Sequence, residues 1–302
     1  MYPRLKFSSC TQRSTPTFKI NIKKFEKELV APFLFTLISS MQSRIQFFLI
    51  TTFLFFACSK KTEEKSKQPV DSLAISYSTI KTFPHDQDAF TEGLVIDQDK
   101  VLESTGLHGK SWIAVVNQET GEHEKKVILD KQYFGEGITV LNNKIYQLTY
   151  QTKIGFIYQA KDFQKIGEFH YNTEGWGLTH DSKNLIMSDG TEKLYFLDTI
   201  NFNVTRTLTV TDGQNTRVKN LNELEYIEGH IFANLYETSF ILKINPSNGK
   251  VVGRIDLSAI DNEIQRTFPK AEELNGIAYD AKSKALLISG KFWPKSYLVR
   301  LH

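Results

Sequence analysis

The chain has 302 residues, 40% apolar and 12% aromatic, enough for one large packed domain or two ordinary ones. Its net charge of +3 is unevenly spread: residues 1–57 carry eight Lys/Arg and two acids, which leaves the remainder at −3 and without the electrostatic footprint of a nucleic-acid binder. Cys10 and Cys58 are the only cysteines, so the chain beyond Cys58 is excluded from disulfide frameworks, cysteine zinc sites and thiol nucleophiles.

Residues 1–40 read as an upstream extension or a mis-assigned start, because a better N-terminus begins at Met41. Arg44 gives the positive region and Ile45 to Ala57 is an apolar run, too short against the roughly 20 residues of a spanning helix but suited to a signal segment at 41–57. Phe55-Phe56-Ala57-Cys58 resembles a bacterial lipobox, which implies acylation of Cys58, attachment to a lipid bilayer, and export to the periplasm or cell surface. Such boxes usually carry Leu three residues before the Cys, where this chain has Phe55. Residues 58–72 form a polar tether containing Pro69.

From residue 73 to 302 the chain reads as all-β. Strands are expected at Ile75–Phe83, Leu94–Ile96, Trp112–Asn117, Lys144–Tyr150, Ile154–Tyr158, Asn184–Ser188, Leu194–Asp198, His230–Asn234, Ile241–Asn245, Ala285–Ser289 and Tyr297–Leu301. Thr120-Gly121, Asn142-Asn143, Asp189-Gly190 and Asn248-Gly249 mark turns between them. Charged outer strands follow at Lys125–Leu129, Thr205–Val210 and Lys250–Leu257, and a helix is expected over Ser258–Arg266.

Five short stretches repeat one pattern: Glu92-Gly93-Leu94, Glu136-Gly137-Ile138, Trp176-Gly177-Leu178, Asn222-Glu223-Leu224 and Asn275-Gly276-Ile277. Their aliphatic members are 44, 40, 46 and 53 residues apart, the period of propeller blades. The expected fold is a five-bladed β-propeller whose last blade is closed by the N-terminal strand Leu73–Phe83. In such a ring Glu92, Glu136, Trp176, Asn222 and Asn275 converge on one mouth of the central channel, placing two carboxylates, an indole and two carboxamides together.

Glu136, between two glycines, is the candidate general acid/base, since a desolvated carboxylate holds or releases a proton near neutral pH. Its bland counterpart is a carboxylate that ties neighbouring blades. Trp176 is a ligand wall or a core indole, Glu92 a ligand-binding or solvated turn carboxylate, and Asn222 and Asn275 orient a ligand or join blades. Lys291 reaches the same mouth or is solvated beside a surface Trp293. His85-Asp86 and His180-Asp181 read as turn-stabilising pairs rather than metal ligands.

Together these motifs resemble the plant-type glutaminyl cyclases (glutaminyl-peptide cyclotransferases), from about Tyr77 to Leu301. The carriers are Phe83-Pro84-His85-Asp86, Phe90-Thr91-Glu92-Gly93-Leu94, Phe134-Gly135-Glu136-Gly137-Ile138-Thr139, Glu174-Gly175-Trp176-Gly177-Leu178, Leu221-Asn222-Glu223-Leu224, Leu274-Asn275-Gly276-Ile277 and Gly290-Lys291-Phe292-Trp293-Pro294. The resemblance implies a five-bladed propeller that cyclises N-terminal Gln of peptides or proteins to pyroglutamate and releases ammonia, without metal or other cofactor, as a monomer. It implies Glu136 as the catalytic acid/base and Trp176, Asn222, Tyr236 and Lys291 as substrate-pocket residues. Glu92 stands where Gln is usual and Tyr236 where Trp is usual. On this reading Glu92 binds the substrate α-amine, and activity rises between about pH 6 and 8 as that amine deprotonates. The competing readings are a metal-dependent lactonase-like hydrolase, with Glu92, Glu136, Asn222 and Asn275 as ligands, and a non-catalytic binding propeller.

Overall fold

The computed structural model describes residues 72–302. The extension, the signal-type segment, Cys58 and the tether as far as Asp71 lie outside the described residues.

The described chain opens with two strands, β1 (Ala74–Ile75) and β2 (Tyr77–Pro84). Blade one follows as β3 (Thr91–Asp97), β4 (Lys100–Thr105), β5 (Trp112–Val116) and β6 (His123–Ile128). Blade two is β7 (Gly135–Leu141), β8 (Lys144–Thr149), β9 (Ile154–Gln159) and β10 (Lys165–His170). Blade three is β11 (Leu178–His180), β12 (Asn184–Ser188), β13 (Lys193–Asp198) and β14 (Val204–Thr209). Blade four is β15 (Leu221–Ile227), β16 (His230–Leu235), β17 (Phe240–Ile244) and β18 (Val251–Asp256). One helix, α1 (Ser258–Thr267), leads into blade five: β19 (Leu274–Asp280), β20 (Ala285–Gly290) and β21 (Lys295–Leu301).

Within each blade consecutive strands pair antiparallel, as short turns require. Asn142 and Asn143 both adopt positive φ (54° and 60°), the geometry of a two-residue hairpin whose twist matches its strands. The innermost strands β3, β7, β11, β15 and β19 touch in sequence, and β19 meets β3 to close the ring. β2 pairs with β21 and supplies the missing outer strand of blade five. The N-terminal segment does more than the sequence suggested, because it breaks at Ser76. Before the break, β1 lies parallel on β18 and adds a fifth strand to blade four.

The core lies between blades. Ile241, Ile255, Leu257, Ile264, Ile277, Ile288 and Trp293 pack into one buried cluster where blade four, α1 and blade five meet. Trp293 is fully buried and its Nε1 donates to the Glu272 carbonyl at 2.9 Å. Of the two readings of this segment, the solvated lysine beside a surface indole is the one excluded: Trp293 sits in a cluster to which α1 contributes Ile260 and Ile264.

The repeat itself has a steric cause. A Cβ on Gly137 would sit 2.5 Å from the Leu178 nitrogen, and one on Gly177 would overlap the Asn222 carbonyl oxygen, so the inner backbones approach closer than any side chain allows. In blade four Glu223 takes the glycine's place. It is fully buried, and its carboxylate accepts from the backbone N–H of Leu94 (3.3 Å) in blade one and of Ile277 (2.9 Å) in blade five. One side chain thus ties blade four to blades one and five.

Candidate active site

Each inner strand but β11 breaks its register at the repeat. The irregularities fall between Thr91 and Gly93, Gly135 and Ile138, Leu221 and Leu224, and Leu274 and Ile277. Bulges of this kind re-aim side chains, and here they fall beside Glu92, Glu136, Asn222 and Asn275.

The result is a cavity of about 340 Å³ lined by Phe90, Glu92, Phe134, Glu136, Tyr150, Trp176, Asn222, Tyr236 and Lys291. Six of the seven pocket residues expected from sequence meet there: Glu92, Glu136, Trp176, Asn222, Tyr236 and Lys291. Asn275 does not. It is buried behind Glu92, and its Nδ2 donates to Glu92 Oε2 (2.8 Å) and to the Thr91 carbonyl (3.0 Å). A larger, more open hollow of about 500 Å³ lies beside α1, lined by residues that include Glu237, Asp261, Gln265, Glu272 and Glu273; it contains none of the sequence candidates.

Phe90, Phe134 and Tyr150 were not singled out from the sequence. Phe90 and Phe134 each stand two residues before a pocket carboxylate, a shared register that could have flagged them. Their rings pack edge to face at 5.9 Å, and Tyr150 tilts against Phe134 at 5.7 Å. Trp176 and Tyr236 form a second T-shaped pair at 5.6 Å, with the Trp176 Nε1 donating to Glu174 at 3.2 Å. Polar chemistry is thus enclosed by aromatic walls, which limit water and strengthen every charge interaction inside.

Lys291 organises the charges. Its Nζ lies 3.1 Å from Glu92 Oε1, 4.5 Å from the Phe90 ring centroid and 5.3 Å from that of Tyr236. With Asn275 on the other oxygen, both oxygens of the Glu92 carboxylate are engaged. Burial pushes Glu92 up to about 7, with Lys291 pulling the other way. Glu136 has no hydrogen bond to its carboxylate among the described residues. Burial first, then the charge of Glu92, hold it well above the usual carboxylate range. Burial alone would lower Lys291, but the Glu92 and Glu136 charges outweigh it and keep the ammonium.

The backbone beneath Glu136 is fixed on three sides. The Gly135 N–H donates to Ser111 Oγ (3.0 Å), the Gly137 N–H to the Trp176 carbonyl (2.7 Å), and Ser104 Oγ donates to the Glu136 carbonyl. Gln147 and Tyr158 extend this chain behind Ser104 at 2.8 and 3.1 Å. Asn222 is buried at the cavity wall, and its Oδ1 has no partner. Among the described residues no group of three or more His, Cys, Asp or Glu is placed to hold a metal ion.

A family model described as glutamine cyclotransferase matches residues 49–301. A glutaminyl-peptide cyclotransferase of Arabidopsis thaliana is 39% identical over 230 residues, 74% of this chain and 70% of that protein. The crystal structure of Myxococcus xanthus glutaminyl cyclase superposes with a TM-score of 0.72 at 32% identity, covering 76% of this chain and 98% of that one.

Proposed function

This chain belongs to the glutamine cyclotransferase family and converts N-terminal glutaminyl residues to pyroglutamate with release of ammonia, and from that premise we infer that Glu136 is the proton carrier of the reaction. What supports the assignment is charge arithmetic. One lysine offsets one carboxylate; Lys291 is taken by Glu92, so Glu136 is left to hold a proton.

An incoming α-amine, as the free base, meets the proton that Glu136 already holds. We therefore assign the α-amine to Glu136 rather than to Glu92, whose oxygens are already engaged. A neutral amine then lies beside a protonated Glu136. The amine nitrogen attacks the γ-carboxamide carbon, and negative charge moves to the carbonyl oxygen. Glu136 gives its proton to the γ-nitrogen, the C–N bond breaks, and ammonia leaves. The ring nitrogen returns its extra proton to Glu136, which completes the balance.

Because attack is intramolecular, holding the Gln side chain folded toward its own amine supplies much of the rate. Asn222 is suited to hold it, because its Nδ2–H and unpartnered Oδ1 complement the carbonyl oxygen and N–H of the substrate carboxamide. Trp176 and Tyr236 wall the folded side chain. We propose that no metal takes part, since the ammonium of Lys291 already supplies the fixed positive charge of the pocket. We further propose that the propeller acts as a monomer on N-terminal Gln peptides, tethered outside the cytoplasm through an acylated Cys58. Palmitate labelling that survives Cys58→Ser would reject the anchor.

The deciding experiment follows ammonia and the loss of about 17 Da from a Gln-initiated dipeptide, with and without EDTA, for the wild type and Glu136→Gln. Chelator-resistant turnover that collapses about 10²–10⁴-fold in the variant is expected. Turnover that stops with EDTA would reject the metal-free reading, and an active variant would reject Glu136.

A further inference from the structure

Resting on the reading above, we propose that the buried His85–Glu103 pair is a positioning device that clamps the Lys291–Pro294 segment onto the Ala89–Glu92 segment and so sets the Lys291–Glu92 contact. Lys291 belongs to the last blade and Glu92 to the first, and the seam where the ring closes runs between them. No covalent neighbourhood holds the two side chains 3.1 Å apart. The seam must do it.

His85 sits at the centre of that seam. Its Nδ1 lies 2.7 Å from the Trp293 carbonyl and its Nε2 3.0 Å from Glu103 Oε1. Both ring nitrogens face oxygens, an arrangement that an imidazolium satisfies with two donated hydrogen bonds. The side chains are 4% and 1% exposed. Burial by itself would discharge His85, but the charge and hydrogen bond of Glu103 and the Trp293 carbonyl reverse that direction.

From this pair the contacts spread to both halves of the Lys291–Glu92 ion pair. The His85 backbone N–H donates to the Pro294 carbonyl (3.0 Å), and the Phe292 N–H donates to the Ala89 carbonyl (2.8 Å). Thr91 Oγ1 donates to Glu103 Oε1 (2.7 Å), one residue before Glu92. Phe90 packs edge to face on Phe292 at 5.1 Å. Phe292, next to Lys291, has a φ of +58°, a strained conformation for a side-chain-bearing residue that persists only when its surroundings impose it.

A buried ion pair is a poor choice for stability alone, because well-packed apolar residues serve as well or better. This one is poorer still, since Glu103 Oε2 has no hydrogen-bond partner. What apolar residues cannot do is hold a carbonyl at a fixed point. The pair touches neither the pocket nor the reacting atoms, and its action passes through Lys291 and Glu92.

The test uses the full chain carrying His85→Phe with Glu103→Leu. The double variant is expected to fold, to lose about 10–100-fold in kcat with KM within about 3-fold, and to show in its crystal structure Phe292 out of the left-handed region and Lys291 Nζ beyond hydrogen-bonding distance of Glu92. His85→Asn, whose amide N–H reaches toward the Trp293 carbonyl, is expected to recover most of kcat. A folded double variant with wild-type kcat, or with Lys291 unmoved, overturns the proposal. If the double variant does not fold, Thr91→Val decides: a several-fold loss of kcat supports the clamp and an unchanged kcat overturns it. A folded wild type that never cyclises Gln peptides would sink the functional reading instead, and the crystal structure would still judge the clamp.

Discussion

Lys291 and Glu92 meet at 3.1 Å with side chains 7% and 4% exposed, which leaves the pocket with one cation for two carboxylates. That imbalance determines which group is ready to move a proton. It also makes the charge state of Glu136 adjustable from a neighbouring residue.

Glu92→Gln keeps the shape but releases Lys291 to offset Glu136. The Glu136 pKa is then expected to fall, moving its limb of the kcat profile acidward by about 1 unit or more. Lys291→Met should move the same limb alkaline and cost at least about 10-fold in kcat/KM, because two buried carboxylates would face each other without a cation. Profiles between about pH 5 and 9 check both directions.

For the wild type, kcat/KM on a Gln dipeptide should climb from about pH 6 to about pH 8, where free α-amines lose their proton. A dipeptide whose α-amine has a lower pKa should carry the limb with it. A limb that stays fixed across substrates would belong to the enzyme and count against the amine as nucleophile.

Trp176→Ala and Tyr236→Ala each remove half of an edge-to-face pair that walls the cavity. Each should lower kcat/KM by about 10–100-fold, whereas Tyr236→Trp should stay within a few-fold of the wild type. Steady-state kinetics on one peptide series separates these outcomes.

Glu225 offers a stability prediction with an unusual sign. Burial pushes it up to about 7, opposed by hydrogen bonds that include the Tyr279 N–H. Its folded form binds the proton more tightly than the unfolded chain does. Its contribution is therefore complete below about pH 4.5 and fades as pH rises through about 7, a loss of up to about 3 kcal/mol. Glu225→Gln retains an acceptor for Tyr279 and cannot ionise. It should melt above the wild type at about pH 8 and lose that advantage at about pH 5, as thermal unfolding at the two pH values would show.

The ring of blades was legible because its repeat is local: each polar residue, glycine and aliphatic residue lie side by side in sequence, and the glycine is demanded by inner strands in contact. The pairing of Lys291 with Glu92 was not, because it joins segments at opposite ends of the domain that only ring closure brings together. Asn275 carried the right pattern yet turned to brace Glu92, a choice set by its hydrogen-bond partners rather than its spacing. β1 left no signal, since two residues pairing parallel with β18 create no periodicity. The burial of Trp293 was not legible, because its cluster partners on α1 lie more than twenty residues earlier. The aromatic lining was half visible, in that Phe90 and Phe134 share a register while Tyr150 merely ends a strand-like run.

Glu223 ties three blades at one point. A single carboxylate from blade four holds backbone N–H groups of blades one and five, so the ring is braced across its interior as well as by its neighbouring strands. Removing that one side chain would strand buried amides in two other blades at once.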